Sequence, residues 1–239
     1  GKVTLEYFQT SFVTDLKADQ TPVTVADRRA ERLVRELIER AYPAHAILGE
    51  EEGATGSPDA QFRWILDPLD GTASFVRGVP IYGVMVAVEE RGKPIAGVVN
   101  MPALGEMVYA ARGEGAYWNG RRARVSEVSR LEDALVLATD VSTMERFGRA
   151  GAYERLRAAS KMQRTWGDCY GHLLVATGRA EVMLDPIMSL WDTAAIAPIV
   201  VEAGGTFTDW AGTATHAAPE ALSTNGRVFD DVVGMIARG

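Results

Sequence analysis

A chain of 239 residues, 47% hydrophobic and 24% charged, is long enough to bury a large core as one domain or as two closely joined layers. Its net charge of −7 argues against nucleic acid as the main partner, because phosphate backbones call for clustered Lys and Arg. The single cysteine, Cys169, forbids an internal disulfide and fits a cytoplasmic protein, and the longest apolar runs fall far short of a membrane helix.

Residues 15–27 are polar and broken by Pro22, so they read as a loop leading into a helix. Thr24 and Asp27 have capping-box spacing, and Ala30, Leu33, Val34, Leu37, Ile38 and Ala41 then mark a helical face. On spacing alone Asp27 is an acid of the first helical turn that complements the dipole. Residues 46–48 read as a strand that delivers Glu50 to its end, and 53–60 as a Gly/Ser/Pro-rich loop.

Residues 64–75 spell W-I-L-D-P-L-D-G-T-A-S-F and organise the rest. The apolar start suits a strand buried on both faces, and Pro68 prevents its simple continuation. Asp67 and Asp70, three apart at the strand end, suit a hard divalent cation such as Mg²⁺. Gly71 lets the backbone approach a ligand, and amides at a following helix start could cradle phosphate. An ordinary Asx-turn has the same spacing. Antiparallel strands are predicted at 81–88, 94–100, 106–111 and 115–118, the last entering an Asn119-Gly120 hairpin turn. Phe75, Tyr82 and Trp118 read as core aromatics.

The texture changes after about residue 128, which divides the chain into an α+β half, 1–128, and an α/β half, 129–239. In the second half strands are predicted at 134–139, 180–184 and 206–209. Helices are predicted at 143–162, 170–177, 192–203 and 226–237. Gly204-Gly205 is a helix stop, and Pro198 implies a kink or a late start in the helix before it. Nucleophile-elbow, P-loop, dinucleotide-binding and zinc-protease motifs are missing, and His45, His172 and His216 are widely scattered.

D-P-L-D-G-T at 67–72, with G-E-E at 49–51 before it and L-W-D-T-A-A at 190–195 after it, resembles the inositol monophosphatase family. That resemblance, which spans nearly the whole chain, implies a layered αβαβα sandwich and a Mg²⁺-dependent phosphomonoesterase. By it, Glu50, Asp67 and the Leu69 carbonyl hold one Mg²⁺, while Asp67, Asp70 and Asp192 hold a second; a third sits near Glu50. Hydrolysis would proceed by direct in-line attack of water, with no covalent phosphoenzyme. Thr72, partnered by Asp27, would orient that water, Glu50 would complete the catalytic group, and the Gly71 and Thr72 amides would hold the phosphate. Lys17 matches a basic position in the family's mobile loop, although an exposed lysine in a polar loop looks the same. A homodimer is the family's habit.

The family's polyol-contacting positions fall on residues 166–168 and on Asp185, seven before Asp192. Carboxylates at Asp168 and Asp185 would suit a leaving group carrying an ammonium and an imidazole, because charge-assisted hydrogen bonds are the stronger ones. Trp166 or Tyr170 is available for stacking, and Arg164 is acceptable beside such a cation if it faces the phosphate. Residues 166–186 look most like the histidinol-phosphatase branch, which hydrolyses L-histidinol phosphate in histidine biosynthesis. An inositol-1-phosphatase of broad specificity is the alternative, and a protein-binding regulator on the same fold is another.

Overall fold

The computed structural model describes residues 1–11, 14–16 and 22–237. After α1 (Lys2–Leu5), strands β1 (Thr14–Leu16) and β2 (Pro22–Thr24) pair antiparallel, so the loop expected over 15–27 is partly sheet. Helix α2 (Val25–Ala41) starts as its sequence predicts: Thr24 Oγ1 accepts the Ala26 N–H at 3.1 Å, and Asp27 Oδ2 accepts the Thr24 N–H at 2.8 Å. Its buried face is rotated from the expected one. Leu33 and Leu37 are exposed, whereas Glu31 and Arg35 are buried as an ion pair with Nε–Oε1 at 2.8 Å. Periodicity of apolar residues cannot show this, because the buried stripe includes two charges that satisfy each other.

The first sheet contains β3 (Ala46–Gly49), β4 (Gly53–Thr55), β5 (Phe62–Asp70), β6 (Gly83–Glu90), β7 (Lys93–Met101), β8 (Glu106–Ala111), β9 (Gly115–Trp118) and β10 (Arg121–Arg122). Their order is β10-β9-β8-β7-β6-β5-β3-β4, antiparallel throughout except for β3 beside β5. The Gly-rich segment read as a loop supplies the edge strand β4. Asn119 and Gly120 both have positive φ, 47° and 78°, as the two-residue hairpin turn demands. Phe75 and Tyr82 are core residues in edge-on contact at 4.8 Å. Trp118 is instead half-buried under the Arg179 guanidinium, 4.3 Å from its ring.

The second sheet, ordered β12-β11-β13-β15-β14, contains β11 (Leu135–Ala138), β12 (Met162–Arg164), β13 (Val182–Asp185), β14 (Thr206–Thr208) and β15 (Ala221–Thr224). Its helices are α4 (Val141–Arg146), α5 (Ala150–Ala159), α6 (Asp168–Ala176), α7 (Leu190–Thr193), α8 (Ile196–Glu202) and α9 (Phe229–Ile236), with the short α3 (Thr72–Val76) following β5 in the first half. The single helix expected over 143–162 is broken at Gly148, φ 71°, and its end is strand β12. The helix expected over 192–203 is also two; Pro198 falls in the first turn of α8, where its missing N–H is harmless. Strand β15, a four-residue buried run, had no alternation to reveal it.

Packing makes five layers. Helix α2 covers one face of the first sheet through Ile38, against Ile47 and Leu66. Leu173 of α6 and Ile196, Ile199 and Val200 of α8 fill the space between the sheets against Ile65, Met85, Val99 and Phe207. Tyr153 and Leu156 of α5, with Val232 and Ile236 of α9, close the far face on Val136, Val182 and Leu222. This is the αβαβα sandwich.

Candidate active site

Strand β5 ends in a register shift between Asp67 and Asp70, where Pro68 interrupts the ladder to β6. The Leu69 N–H donates to Asp67 Oδ1 at 3.0 Å, and the Cys169 N–H donates to Asp70 Oδ2 at 2.6 Å. Asp192, on α7 from the other half of the chain, accepts the Ser189 N–H on Oδ2 at 2.7 Å and so closes a capping box at the start of that helix. Yet one oxygen each of Asp67, Asp70 and Asp192 lies within 4.8 Å of the others. Asp67 is buried at 2% exposure; Asp70 and Asp192 are half-buried.

Burial, then repulsion from Glu50, Asp70 and Asp192, pushes the Asp67 carboxyl well above its usual range. Burial and the charges of Asp168 and Asp192 do the same to Asp70. Burial foremost raises Asp192 to about 7. Carboxylates that converge and repel one another form an all-oxygen donor set with excess negative charge, which fits a hard divalent cation. The residues present therefore fit Mg²⁺.

A cavity of about 320 Å³ opens over this cluster and is lined by Glu50, Asp67, Leu69, Gly71, Thr72 and Asp192 among others. Glu50 is not in the tight trio but acts on Asp67, Asp27 and Asp192 by charge. Its loop is pinned from below. Buried Glu31 accepts the Glu51 N–H on Oε2 at 2.8 Å and the Glu52 N–H on Oε1 at 3.0 Å, while Arg35 also reaches the Gly53 carbonyl. Sequence reasoning missed Glu31, since nothing distinguishes it from other helical acids before the fold is known.

Thr72 Oγ1 donates to the Leu69 carbonyl at 3.0 Å and faces Asp27 Oδ1 at 3.4 Å. Asp27 thus caps α2 with Oδ2 and meets Thr72 with Oδ1. Burial raises its carboxyl, partly opposed by its bonds to Thr24. Gly71 has φ 78°, the left-handed turn that starts α3.

A second cavity, about 200 Å³, adjoins the first and shares Asp70, Asp168, Ile187, Met188 and Asp192 with it; Thr139, Thr143 and Asp185 are among the residues that line it alone. Burial, then the charges of Asp185 and Asp192, raises Asp168 to about 7. Asp185 is buried and accepts the Thr139 N–H on Oδ1 at 3.2 Å. Among sequence-predicted residues, Arg164 and the expected stacking partners Trp166 and Tyr170 line neither cavity: Arg164 donates to the neighbouring Gln163 carbonyl and lies 6.0 Å from the ring of the exposed Trp166, and Tyr170 packs against the core. Lys17 lies outside the described residues. Thr139, Thr143 and Ile187 carry no sequence signal, because only the fold brings these segments to the rim.

The sequence model of the inositol monophosphatase family matches residues 1–235. A histidinol-phosphatase of Chlorobaculum parvum is 44% identical over 241 residues, covering 100% of this chain and 93% of that protein. An inositol-1-monophosphatase of Mesorhizobium japonicum is 35% identical over 201 residues, 82% of this chain and 75% of that one. Extragenic suppressor protein suhB from Bartonella henselae has a similar solved structure, with a TM-score of 0.92 at 29% identity, covering 100% of this chain and 94% of that one.

Proposed function

Because the chain belongs to the inositol monophosphatase family, we propose that it is a Mg²⁺-dependent histidinol-phosphatase, hydrolysing L-histidinol phosphate to L-histidinol and phosphate. The observation that carries the catalytic reading is the convergence of Asp67, Asp70 and Asp192 within 4.8 Å beside Thr72. Glu50, Asp67, the Leu69 carbonyl, Asp70 and Asp192 would hold two or three Mg²⁺ ions. When bound, Mg²⁺ would polarise the phosphoryl group, acidify the attacking water and stabilise the leaving alkoxide. Thr72 gives its hydroxyl hydrogen to Leu69 and Asp27, leaving its lone pairs to accept a hydrogen from the water and aim it. Asp27 balances the proton drawn toward Thr72. The Gly71 and Thr72 amides stabilise the phosphate oxygens, and attack is direct, without a phosphoenzyme.

The substrate reading rests on the adjoining cavity. Asp168 and Asp185 face it with no basic partner in the rim, the chemistry an ammonium or imidazolium needs. The 44% identity to a histidinol-phosphatase supports the same choice. The test is kcat/KM for L-histidinol phosphate against inositol-1-phosphate at equal Mg²⁺. A preference for inositol-1-phosphate overturns the substrate, and no phosphate release from either favours a binding role.

A further inference from the structure

His172, on α6, is fully buried, and its ring bridges two strands. Nδ1 lies 2.7 Å from Ser223 Oγ on β15, and Nε2 lies 3.4 Å from Asp185 Oδ2 at the end of β13. Among the described residues Nε2 has no hydrogen-bond partner, and the Asp185 carboxylate at 3.4 Å is the acidic group beside it. If packing alone fixed this imidazole, against Phe207 at 6.1 Å, the Ser223 contact would suffice and Nε2 would have no reason to meet a carboxylate. With the Ser223 hydroxyl donating to Nδ1, the ring proton sits on Nε2, whose nitrogen lies 3.4 Å from Asp185 Oδ2.

Asp185 is held from its other side as well. Its Oδ1 accepts the Thr139 N–H at 3.2 Å, and Thr139 Oγ1 in turn accepts the Asp168 N–H at 2.8 Å. One chain of contacts therefore runs from Ser223 through His172, Asp185 and Thr139 to Asp168, and it joins two of the four aspartates that line the second cavity, Asp185 through its carboxylate and Asp168 through its main-chain N–H. The strands that carry these groups are paired antiparallel here, with Met183 opposite Ser223 and Asp185 opposite Ala221.

We infer that His172 is a positioning residue: it holds the Asp185 carboxylate toward the second cavity and thereby sets the site's preference for a cationic leaving group. This rests on the reading of that cavity given above. Nothing in it touches the phosphate or the water, so it acts on recognition and not on the chemical step.

Two conservative variants test it. A Gln amide nitrogen reaches the place of Nε2, whereas an Asn amide reaches only that of Nδ1. His172→Asn is expected to raise KM for L-histidinol phosphate about tenfold with kcat little changed, while kcat/KM for p-nitrophenyl phosphate, whose leaving group carries no cation, stays within about twofold. His172→Gln is expected to recover most of the loss. Equal losses on both substrates, or no loss in His172→Asn, overturn the proposal. The crystal structure of His172→Asn decides it independently of the substrate: Asp185 turned away from the Thr139 N–H supports it, and an unmoved Asp185 overturns it. A wild-type enzyme that prefers inositol-1-phosphate sinks the substrate reading alone, and this structural readout still decides the role of His172.

Discussion

The backbone N–H of Cys169 donates to Asp70 Oδ2 at 2.6 Å, tying the end of β5 to the first turn of α6 across the two halves of the chain. Asp168, the residue before it, sits at φ 52°, a left-handed conformation that costs a non-glycine residue roughly 1–2 kcal/mol. That conformation places its carboxyl in the shared wall of both cavities. The carboxylate cluster and the leaving-group cavity are thus one assembly, with Asp70 belonging to both.

Removing one member of the cluster should separate catalysis from stability. Asp67→Asn and Asp192→Asn are each expected to lower Mg²⁺-dependent phosphate release by roughly a hundredfold or more, because the donor set loses a charge. In the metal-free protein the same variants relieve repulsion among buried carboxylates and should melt higher, by about 2–4 °C for each kcal/mol gained. Calorimetric Mg²⁺ titration and thermal melts with and without chelator check both. Unchanged Mg²⁺ activity in either variant refutes the ligand assignment.

Thr72→Val keeps the volume of the side chain and removes its hydroxyl. A group that orients water acts on the chemical step, so kcat should fall roughly a hundredfold while KM stays within about threefold. Asp27→Asn should give a similar fall in kcat and also cost about 1 kcal/mol of stability, because Oδ2 caps α2. Steady-state kinetics and urea melts measure the two effects. A change confined to KM shows that Thr72 binds substrate without aiming water.

Strands β6 to β9 and their hairpins are legible in the sequence because turn chemistry brackets them, as at Asn119-Gly120 and Arg91-Gly92, whereas β1, β2 and β4 lie in polar or Gly-rich segments that read as loops. The carboxylates that converge are legible for different reasons: Asp67 and Asp70 stand three apart at a strand end, whereas Asp192 at the start of α7 is marked only by the family resemblance of its L-W-D-T-A-A motif. Partners that meet only through the fold are not legible. Glu31 looks like any helical acid until the 49–53 loop arrives above it, and His172 looks like a core residue until β13 brings Asp185 beside it. Residues 143–162 mislead by composition, since one glycine with φ 71° suffices to split them.

Gly71 connects the two cavities sterically. At φ 78° a side chain is strained, and a Cβ built there would lie 3.0 Å from Asp168 Oδ2 and 3.1 Å from the Ile81 carbonyl. Gly71→Ala should therefore cost about 1 kcal/mol in stability and push the Asp168 carboxyl out of place. The fall in kcat/KM for L-histidinol phosphate is expected to exceed that for p-nitrophenyl phosphate, on which Asp168 has no cation to grip. Equal falls on both would place the effect on the phosphate side of Gly71.

Glu89 links the first sheet to the segment that supports Asp192, and its behaviour with pH has a definite sign. It is buried at 1% exposure on β6; Oε2 accepts Arg63 Nε and Nη2 at 3.0 and 2.6 Å, and Oε1 meets His216 Nε2 at 2.6 Å. The His216 carbonyl in turn accepts the Thr193 hydroxyl, next to Asp192. Burial pushes the Glu89 carboxyl up, but the bonds from His216 and Arg63 outweigh it and leave it below its ordinary value of 4.5. The folded state thus takes up this proton less readily than the unfolded state, so the stabilisation is fully present above pH 4.5 and lost as pH falls through the lower folded value. Glu89→Gln is expected to cost about 2 kcal/mol at pH 7, less than for a fully enclosed pair because Arg63 is part-exposed. In urea melts the wild-type advantage should narrow as pH drops below 4.5. An advantage that holds undiminished to the lowest pH at which the protein folds would show that packing of the Glu89 side chain, and not its charge, joins the sheet to the 209–220 segment.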